Sequence, residues 1–302
     1  MTRSSRLSET ETAVVVDVGA TRTEAGYGGW HERNQAVRVE ETPMKTDGLV
    51  AGLRSTVGEL VEEARSAGRD VSAVAVGVPG LVDHEGRLVE APHTSFGSVD
   101  LSDELAVDLP LAVENDANAQ ALGCSRILEH ASLCYVALGT GIGGGIVESG
   151  EVVRGANGFA GEVGHMRAPV STEPQDAHDG LCECGRRGCL ETVASGDYLL
   201  ETLGDRWWKR ELPPDEERVV KRAGEAVGNA ASQLAVLNDP ESVVVTGKLT
   251  AKDVFVAGMR ETYSRPWVDT DCPLKTHEHT WRFAREGLTE IARRAAEKSD
   301  CR

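Results

Sequence analysis

Three cysteines and one histidine have the residue types and the spacing of a zinc site. Cys182, Cys184 and Cys189 lie in one short segment, and His165 precedes them. Three thiolates and one imidazole are the ligand set of a closed tetrahedral zinc ion, which shapes its surroundings and does not polarise a substrate. A disulfide or a group of free thiols is the alternative. Seven cysteines in 302 residues are too few for a disulfide framework and suit a reducing compartment.

Two glutamates bracket this cysteine segment. Glu162 and Glu191 lie on either side of it in the sequence, and paired carboxylates are a common means of binding the vicinal hydroxyls of a sugar ring. Ordinary surface charge is the alternative for each glutamate. The sugar-binding interpretation therefore depends on the zinc loop.

A further polar group occupies residues 114–118, ENDAN, between an apolar run and a predicted helix, 117–128. The carboxylate of Asp116 can accept a proton from a hydroxyl group while Asn115 orients a sugar. Alternatively, Asn115 or Asp116 only caps the helix. A helix cap accounts for one polar residue in this segment, but it accounts poorly for three polar residues in a row.

Two turns have the composition of phosphate-binding loops. Asp17-Val-Gly19-Ala-Thr21 follows a strand, where the amides of a tight turn can cradle phosphate and a carboxylate can hold magnesium through water. Residues 139–145, GTGIGGG, combine a threonine with glycines that let a polyphosphate approach the backbone. A plain turn and a glycine-rich hairpin are the respective alternatives. An actin-like ATPase places one such hairpin of each lobe against a triphosphate, so the pair favours a nucleotide site.

The elements around these residues predict α/β layers with an internal duplication, because a strand, a glycine turn and a second strand occur twice. The predicted strands are 13–18, 71–78, 132–138, 145–148 and 242–246, and the predicted helices are 49–67, 117–128, 222–237 and the chain from Trp281. We expect a small N-terminal lobe, 1–117, and a larger lobe with the zinc loop, 118–280. The last helix, 281–302, is able to join either lobe.

The charge and the apolar pattern limit the partners of the protein. Acidic residues number 49 against 32 basic ones, so the net charge of −17 repels nucleic acid and anionic membranes. No apolar run reaches the length of a membrane span, and the first residues lack the core of a signal peptide, so we expect a cytoplasmic protein. The acid excess with few aromatic residues also suggests a protein kept soluble in concentrated salt.

Together these motifs resemble the ROK family (repressor, open reading frame, kinase), which includes glucokinases and N-acetylhexosamine kinases. The resemblance covers nearly all of residues 13–247. The matching segments are DVGAT at 17–21, GVPG at 77–80, ENDANAQAL at 114–122, GTGIGGG at 139–145, GEVGH at 161–165 and CECGRRGCLE at 182–191. The resemblance implies an actin-like (ribonuclease-H-like) duplicated two-lobe ATPase fold, often as a dimer or higher homo-oligomer.

The resemblance also implies residue roles. Asp116 would be the general base. The sugar ligands would be Asn115, Glu162, His165 and Glu191, with Gly80 and the position of His93 beside them. The nucleotide phosphates and adenosine would be lined by Asp17, Gly19, Thr21, Thr140, Gly141, Gly143 and Gly247. Zinc would be held by His165, Cys182, Cys184 and Cys189.

Three positions depart from the family pattern. Ala20 replaces a common glycine in the first hairpin, and His93 stands where an asparagine usually meets the sugar. In the segment that would lie by the adenosine, the family usually has two or three glycines, whereas this chain has only Gly247, which is followed by Lys248. These departures bear on which sugar and which phosphoryl donor are used.

The sequence thus predicts ATP- and magnesium-dependent phosphorylation of a hexose, with glucose favoured, at its C6 hydroxyl. An N-acetylhexosamine or other hexose kinase, a kinase using polyphosphate, and a catalytically weak sugar-binding sensor are the alternatives. A sugar-responsive repressor is disfavoured, because only about a dozen residues precede the first strand and the surface is acidic.

Overall fold

A computed structural model describes residues 11–29, 35–43, 45–91, 94, 96–168, 180–264, 271–278 and 280–300. The chain divides into two compact units, Met1–Gly123 with Phe283–Arg302, and Cys124–Arg282. The division lies inside a helix, six residues after the predicted boundary, and the last helix belongs to the first unit. None of the helices among these residues has the length and apolarity needed to cross a bilayer.

The first unit is built on a five-stranded sheet in the order β3-β2-β1-β4-β7, in which β1, β4 and β7 are parallel. Its strands are β1 (Glu11–Val18), β2 (Arg22–Gly29), β3 (Gln35–Glu41), β4 (Asp70–Val78) and β7 (Leu111–Asn115), with a small ribbon of β5 (Leu81–Val82) and β6 (Leu88–Glu90). The helices are α1 (Thr46–Ser66), α2 (Leu101–Leu105), the start of α3 (Asp116–Leu128) and α8 (Trp281–Asp300).

Burial explains why these segments form these elements. The central strand β1 is apolar and buried along most of its length, as expected for a strand covered on both faces. The apolar residues of α1 recur at helical spacing and pack on the sheet. Helices α3 and α8 touch through glycine, since a Cβ on Gly123 would lie 1.9 Å from the carbonyl oxygen of Phe283.

The second unit has a five-stranded sheet in the order β10-β9-β8-β11-β12, in which β8, β11 and β12 are parallel. Its strands are β8 (Leu133–Leu138), β9 (Ile142–Glu148), β10 (Glu151–Val152), β11 (Ser242–Thr246) and β12 (Leu274–His277). The helices are α4 (Glu191–Ala194), α5 (Gly196–Leu203), α6 (Pro214–Asn238) and α7 (Asp253–Thr262), and short 3-10 turns cover Val163–His165, Trp207–Lys209 and Lys248–Ala251.

The two sheets repeat one pattern of strand order and direction, which confirms the predicted duplication. The predicted turn, 139–145, is too long, because β9 already begins at Ile142. Gly144 lies inside this strand, where a Cβ would come within 2.5 Å of the side chain of Val163 and 2.6 Å of the carbonyl oxygen of Gly161. Part of the glycine run therefore serves packing within the unit.

Candidate active site

The junction of β7 and α3 is fixed by hydrogen bonds that leave Asp116 out of the capping role. Asn115 Oδ1 accepts the backbone N–H of Asn118 at 2.9 Å, the geometry of a helix cap, and its Nδ2 donates to the Gly80 carbonyl at 3.0 Å. The buried carboxylate of Glu114 accepts from the Asn115 backbone N–H and from Asn118 Nδ2. Asn115 thus caps the helix, and one proton of its amide is already engaged.

Asp116 is the first residue of α3 and is half-buried. Burial raises the pKa of its carboxyl to about 6, although the backbone N–H groups of Ala117 and Asp116 itself pull that pKa down. A carboxylate with a pKa near 6 is largely ionised at neutral pH and is a stronger base than an exposed aspartate. This is the ionisation that proton abstraction from a hydroxyl requires.

The β1–β2 turn brings Asp17 to the same end of the sheet. The backbone N–H of Gly19 donates to the Arg22 carbonyl at 2.9 Å, which closes a tight turn with Thr21 exposed at its tip. Asp17 is only 8% exposed, and its Oδ1 has no hydrogen-bond partner. Burial, then the carboxylates of Asp116 and Glu24, raise the pKa of Asp17 well above its usual value.

An unpartnered buried carboxylate oxygen is unfavourable unless a ligand completes it. Oxygen donors of this type suit magnesium, bound directly or through water. Asp17 therefore fits the predicted magnesium-binding role.

The second turn is held by α4 and α5. The Gly139 N–H donates to the Gly141 carbonyl at 3.0 Å, and the Asp197 N–H at the start of α5 donates to the Thr140 carbonyl at 3.0 Å. The Ile142 N–H donates to Glu191 Oε2 at 2.8 Å. The structure thus brings Thr140, Gly141 and Glu191 together, and Glu191 has one oxygen bound to the turn that follows β8.

The four predicted zinc ligands also meet. The ligand atoms of His165, Cys182, Cys184 and Cys189 all lie within 4.8 Å of one another. Cys184 Sγ is 3.6 Å from Cys189 Sγ, and Cys182 Sγ is 3.5 Å from His165 Nδ1. Tetrahedral zinc with usual bond lengths requires about 3.8 Å between two thiolates and about 3.6 Å between a thiolate and an imidazole nitrogen. The donor set and its spacing fit zinc.

The GEVGH segment lies against the second turn. A Cβ on Gly164 would be 2.2 Å from the Ile142 carbonyl oxygen, so this segment packs on β9 through backbone. Glu162 is half-buried immediately before the 3-10 turn that carries His165. Zinc bound at His165 would therefore fix the position of Glu162.

Gly247 ends β11 beside the same turn. A Cβ there would lie 2.0 Å from the carbonyl oxygen of Leu138, the last residue of β8, and its φ is +114°. Only glycine fits this position. Lys248 follows and is exposed, so a positively charged residue comes directly after the glycine that lies beside the second turn.

Comparison with known proteins decides the family. The sequence profile of the ROK family matches residues 13–276. The chain belongs to the ROK family. It is 28% identical to the glucokinase of Streptomyces coelicolor over 289 residues, which are 83% of this chain and 86% of the glucokinase. A ROK family glucokinase from Streptomyces griseus, solved in complex with glucose and AMPPNP, superposes with a TM-score of 0.77 at 27% identity and covers 94% of this chain and 99% of its own.

This ROK protein also resembles repressors. It is 30% identical to the xylose repressor of Caldicellulosiruptor bescii over 248 residues, 72% of this chain and 60% of the repressor. The chain thus spans less than two thirds of that relative's length. The chain has the actin-like α/β fold of its solved relatives, and its relatives in the ROK family include both glucokinases and xylose repressors.

Two acidic residues of this ROK chain were not singled out from the sequence as functional. Glu24 lies opposite Asp17 in the antiparallel register of β1 and β2, and Glu114 orients Asn115. The two-residue period of a strand could have placed Glu24 on the face of Asp17. The predicted His93 lies outside the described residues.

Proposed function

We propose that this chain phosphorylates a hexose at its C6 hydroxyl with ATP, and that glucose is the preferred hexose. The observation that carries the proposal is the state of Asp116, a half-buried carboxyl with a pKa of about 6 that Asn115 relieves of the capping role. Kinase relatives of similar length imply ATP and magnesium. An exposed aspartate would be a weaker base, and a capping aspartate would be occupied.

In the proposed reaction, Asp116 accepts the C6 hydroxyl proton as that oxygen forms a bond to the γ-phosphorus of ATP. The bond between this phosphorus and the β–γ bridging oxygen breaks, and ADP leaves with the bond electrons. Magnesium, when bound, neutralises phosphate charge. Asp17 would orient that ion, and the backbone at Thr140 and Gly141 would hold phosphate oxygens.

Sugar selection is assigned to residues around the zinc loop. Glu162 and His165 would contact ring hydroxyls, as would Glu191, whose Oε2 accepts from the Ile142 N–H and whose Oε1 lies 3.9 Å from Cys182 Sγ. Asn115 retains one amide proton for the sugar. Zinc would hold His165 and the cysteine segment in place and would not touch the reacting atoms.

A sugar-responsive sensor or repressor is the second candidate, favoured by the xylose repressor relative. Such a protein needs the sugar-binding residues and has no need of a base with a raised pKa. An uncompensated carboxylate at Asp17 is also unexplained in a protein that binds no nucleotide.

The test is a panel of glucose, mannose, N-acetylglucosamine and N-acetylmannosamine with ATP, with products identified by phosphorus NMR and sugar binding measured by calorimetry. We expect a hexose 6-phosphate, with glucose giving the highest kcat/KM. Sugar binding without any ATP consumption would reject the kinase and favour the sensor. Polyphosphate tested as donor on the same preparation distinguishes the remaining alternative.

A further inference from the structure

At one end of the sheet of the first unit, Asp17 lies between two other carboxylates that act on it, those of Glu24 and Asp116. Asp17 and Glu24 are opposed in antiparallel register, so their side chains leave the same face of the sheet with Cβ atoms about 5 Å apart. Gly77 is the parallel neighbour of Asp17. A Cβ at Gly77 would lie 3.2 Å from Asp17 Oδ1 and 3.6 Å from the Cα of Asp116. Glycine at this position therefore leaves no side chain between Asp17 and Asp116.

No cation compensates this group among the residues that the structure describes. The charged neighbours that act on Asp17 are Asp116 and Glu24, both of the same sign. Asp17 is 92% buried and its Oδ1 is unpartnered, so the central oxygen of the cluster is inaccessible to bulk water. Like charges directly opposite on neighbouring strands are destabilising. A bound cation would offset the repulsion between the carboxylates and would give the Oδ1 of Asp17 a partner.

The second unit offers an internal comparison. The residues at the corresponding places of β8 and β9 are Ala137 and Gly143, which also form the second pair from the turn, in a hairpin whose turn is one residue shorter. A hairpin of this topology therefore folds without any acid at these two places. The acidic pair of the first unit is a local addition to the hairpin, and folding does not explain it.

We propose that Asp17, Glu24 and Asp116 bind one divalent cation of the magnesium or manganese type before any nucleotide arrives, and that Glu24 is a ligand of it. Hard cations of this type take carboxylate oxygens, usually one or two of them directly, and complete their coordination with water, through which a further carboxylate can act. The role of this ion rests on the proposed kinase function, because ATP would then bind to a protein that already holds the cation on its first unit. Glu24 then acts through the ion and is a positioning residue.

The test is a titration of the zinc-loaded full-length protein with Mn2+ alone, followed by the electron paramagnetic resonance signal of free Mn2+, without sugar or nucleotide. Salt at about 0.15 M screens weak binding to exposed acids. We expect one saturable Mn2+ per chain, displaced by Mg2+. Glu24→Gln should weaken it about tenfold, and Asp17→Asn should abolish it.

Glu41→Gln is the matched control, because Glu41 is an exposed glutamate of the neighbouring strand β3. It should leave Mn2+ binding unchanged. Thermal unfolding supplies a second measurement: added Mg2+ should raise the Tm of the wild type and of Glu41→Gln more than that of Glu24→Gln.

The proposal is overturned if the wild type shows no saturable Mn2+ without nucleotide, or if Glu24→Gln binds it as tightly as the wild type. Either result would mean that the carboxylates share protons instead. The outcome is separable from the kinase assay. A chain that binds Mn2+ but phosphorylates no hexose refutes the proposed function alone, and an active chain that binds no Mn2+ refutes the cation site alone.

Discussion

The hairpin of β1 and β2 and the hairpin of β8 and β9 occupy the same place in two sheets of identical strand order. In the first, Asp17 faces Glu24, and in the second, Ala137 faces Gly143. The first hairpin thus carries two carboxylates at these places, whereas the second carries none and has the exposed Lys248 after Gly247 beside its turn. The carboxylates of the first hairpin suit a cation, and the second hairpin has no acid at these places that would repel a phosphate. One fold, used twice, has therefore been given two complementary chemistries by a few residues at the strand ends.

Asp116 is the residue of the first unit whose change should have the largest effect. Asp116→Asn should reduce kcat by at least about a thousandfold, because an amide cannot accept the hydroxyl proton, while calorimetry should show that glucose binding persists. Removing a half-buried carboxyl with a raised pKa should also stabilise the folded state near neutral pH, by up to about 3 kcal/mol.

The sign of this stability effect follows from the raised pKa. The folded state holds the Asp116 proton to higher pH than the unfolded state, so this group favours folding below pH 4 and loses that contribution as pH rises through about 6. Asp108→Asn is the control, since Asp108 is exposed and precedes β7. Near-normal turnover of Asp116→Asn would remove this residue as the base.

Zinc should be the main source of local stability that the second unit has and the first lacks. Cys184→Ser should release the ion and lower the free energy of unfolding by roughly 3–5 kcal/mol, because the remaining ligands cannot close a tetrahedron. Metal analysis should find one zinc per chain in the wild type and in the control Cys272→Ser, whose thiol lies in the same unit and outside the cluster. A full equivalent of zinc in Cys184→Ser would contradict the assignment.

A carboxylate placed on the second hairpin should erase the difference between the two units. Ala137→Asp puts an acid at the place equivalent to Asp17. It should raise the KM for ATP by roughly tenfold or more, since like charges about 7 Å apart repel by about 2 kcal/mol at an effective dielectric constant near 20. The KM for glucose should change little. Ala137→Asn is the matched neutral variant, and an equal rise in KM in both variants would show that bulk, not charge, is responsible.

The sequence predicts much of this arrangement because its strongest signals are local. A short stretch of sequence is enough to recognise each of three patterns: the β-branched run of β1, the helical spacing of α1 and the cysteine segment. The register that sets Glu24 opposite Asp17 is also local. The accumulation of negative charge around Asp17 additionally requires Asp116, which lies about a hundred residues further along the chain. Such a juxtaposition is a product of tertiary structure.

Glycine illustrates the same limit. Residues 139–145 predict a phosphate turn by composition, yet Gly144 is required by the approach of Val163 and Gly161. Gly247 is likewise required by the carbonyl of Leu138. A missing Cβ looks the same in sequence whether phosphate or another segment of backbone fills the space, so only packing distinguishes the two.

The base is the centre of the account, and its ionisation can be observed directly. The measurement is the single-turnover rate of phosphoryl transfer from ATP to glucose between pH 5 and 8, with both substrates saturating. Because Asp116 must be deprotonated to act and its pKa is about 6, the rate should fall about tenfold per pH unit below that value and level off above it. A rate independent of pH across this range would contradict the assignment of Asp116 as the general base.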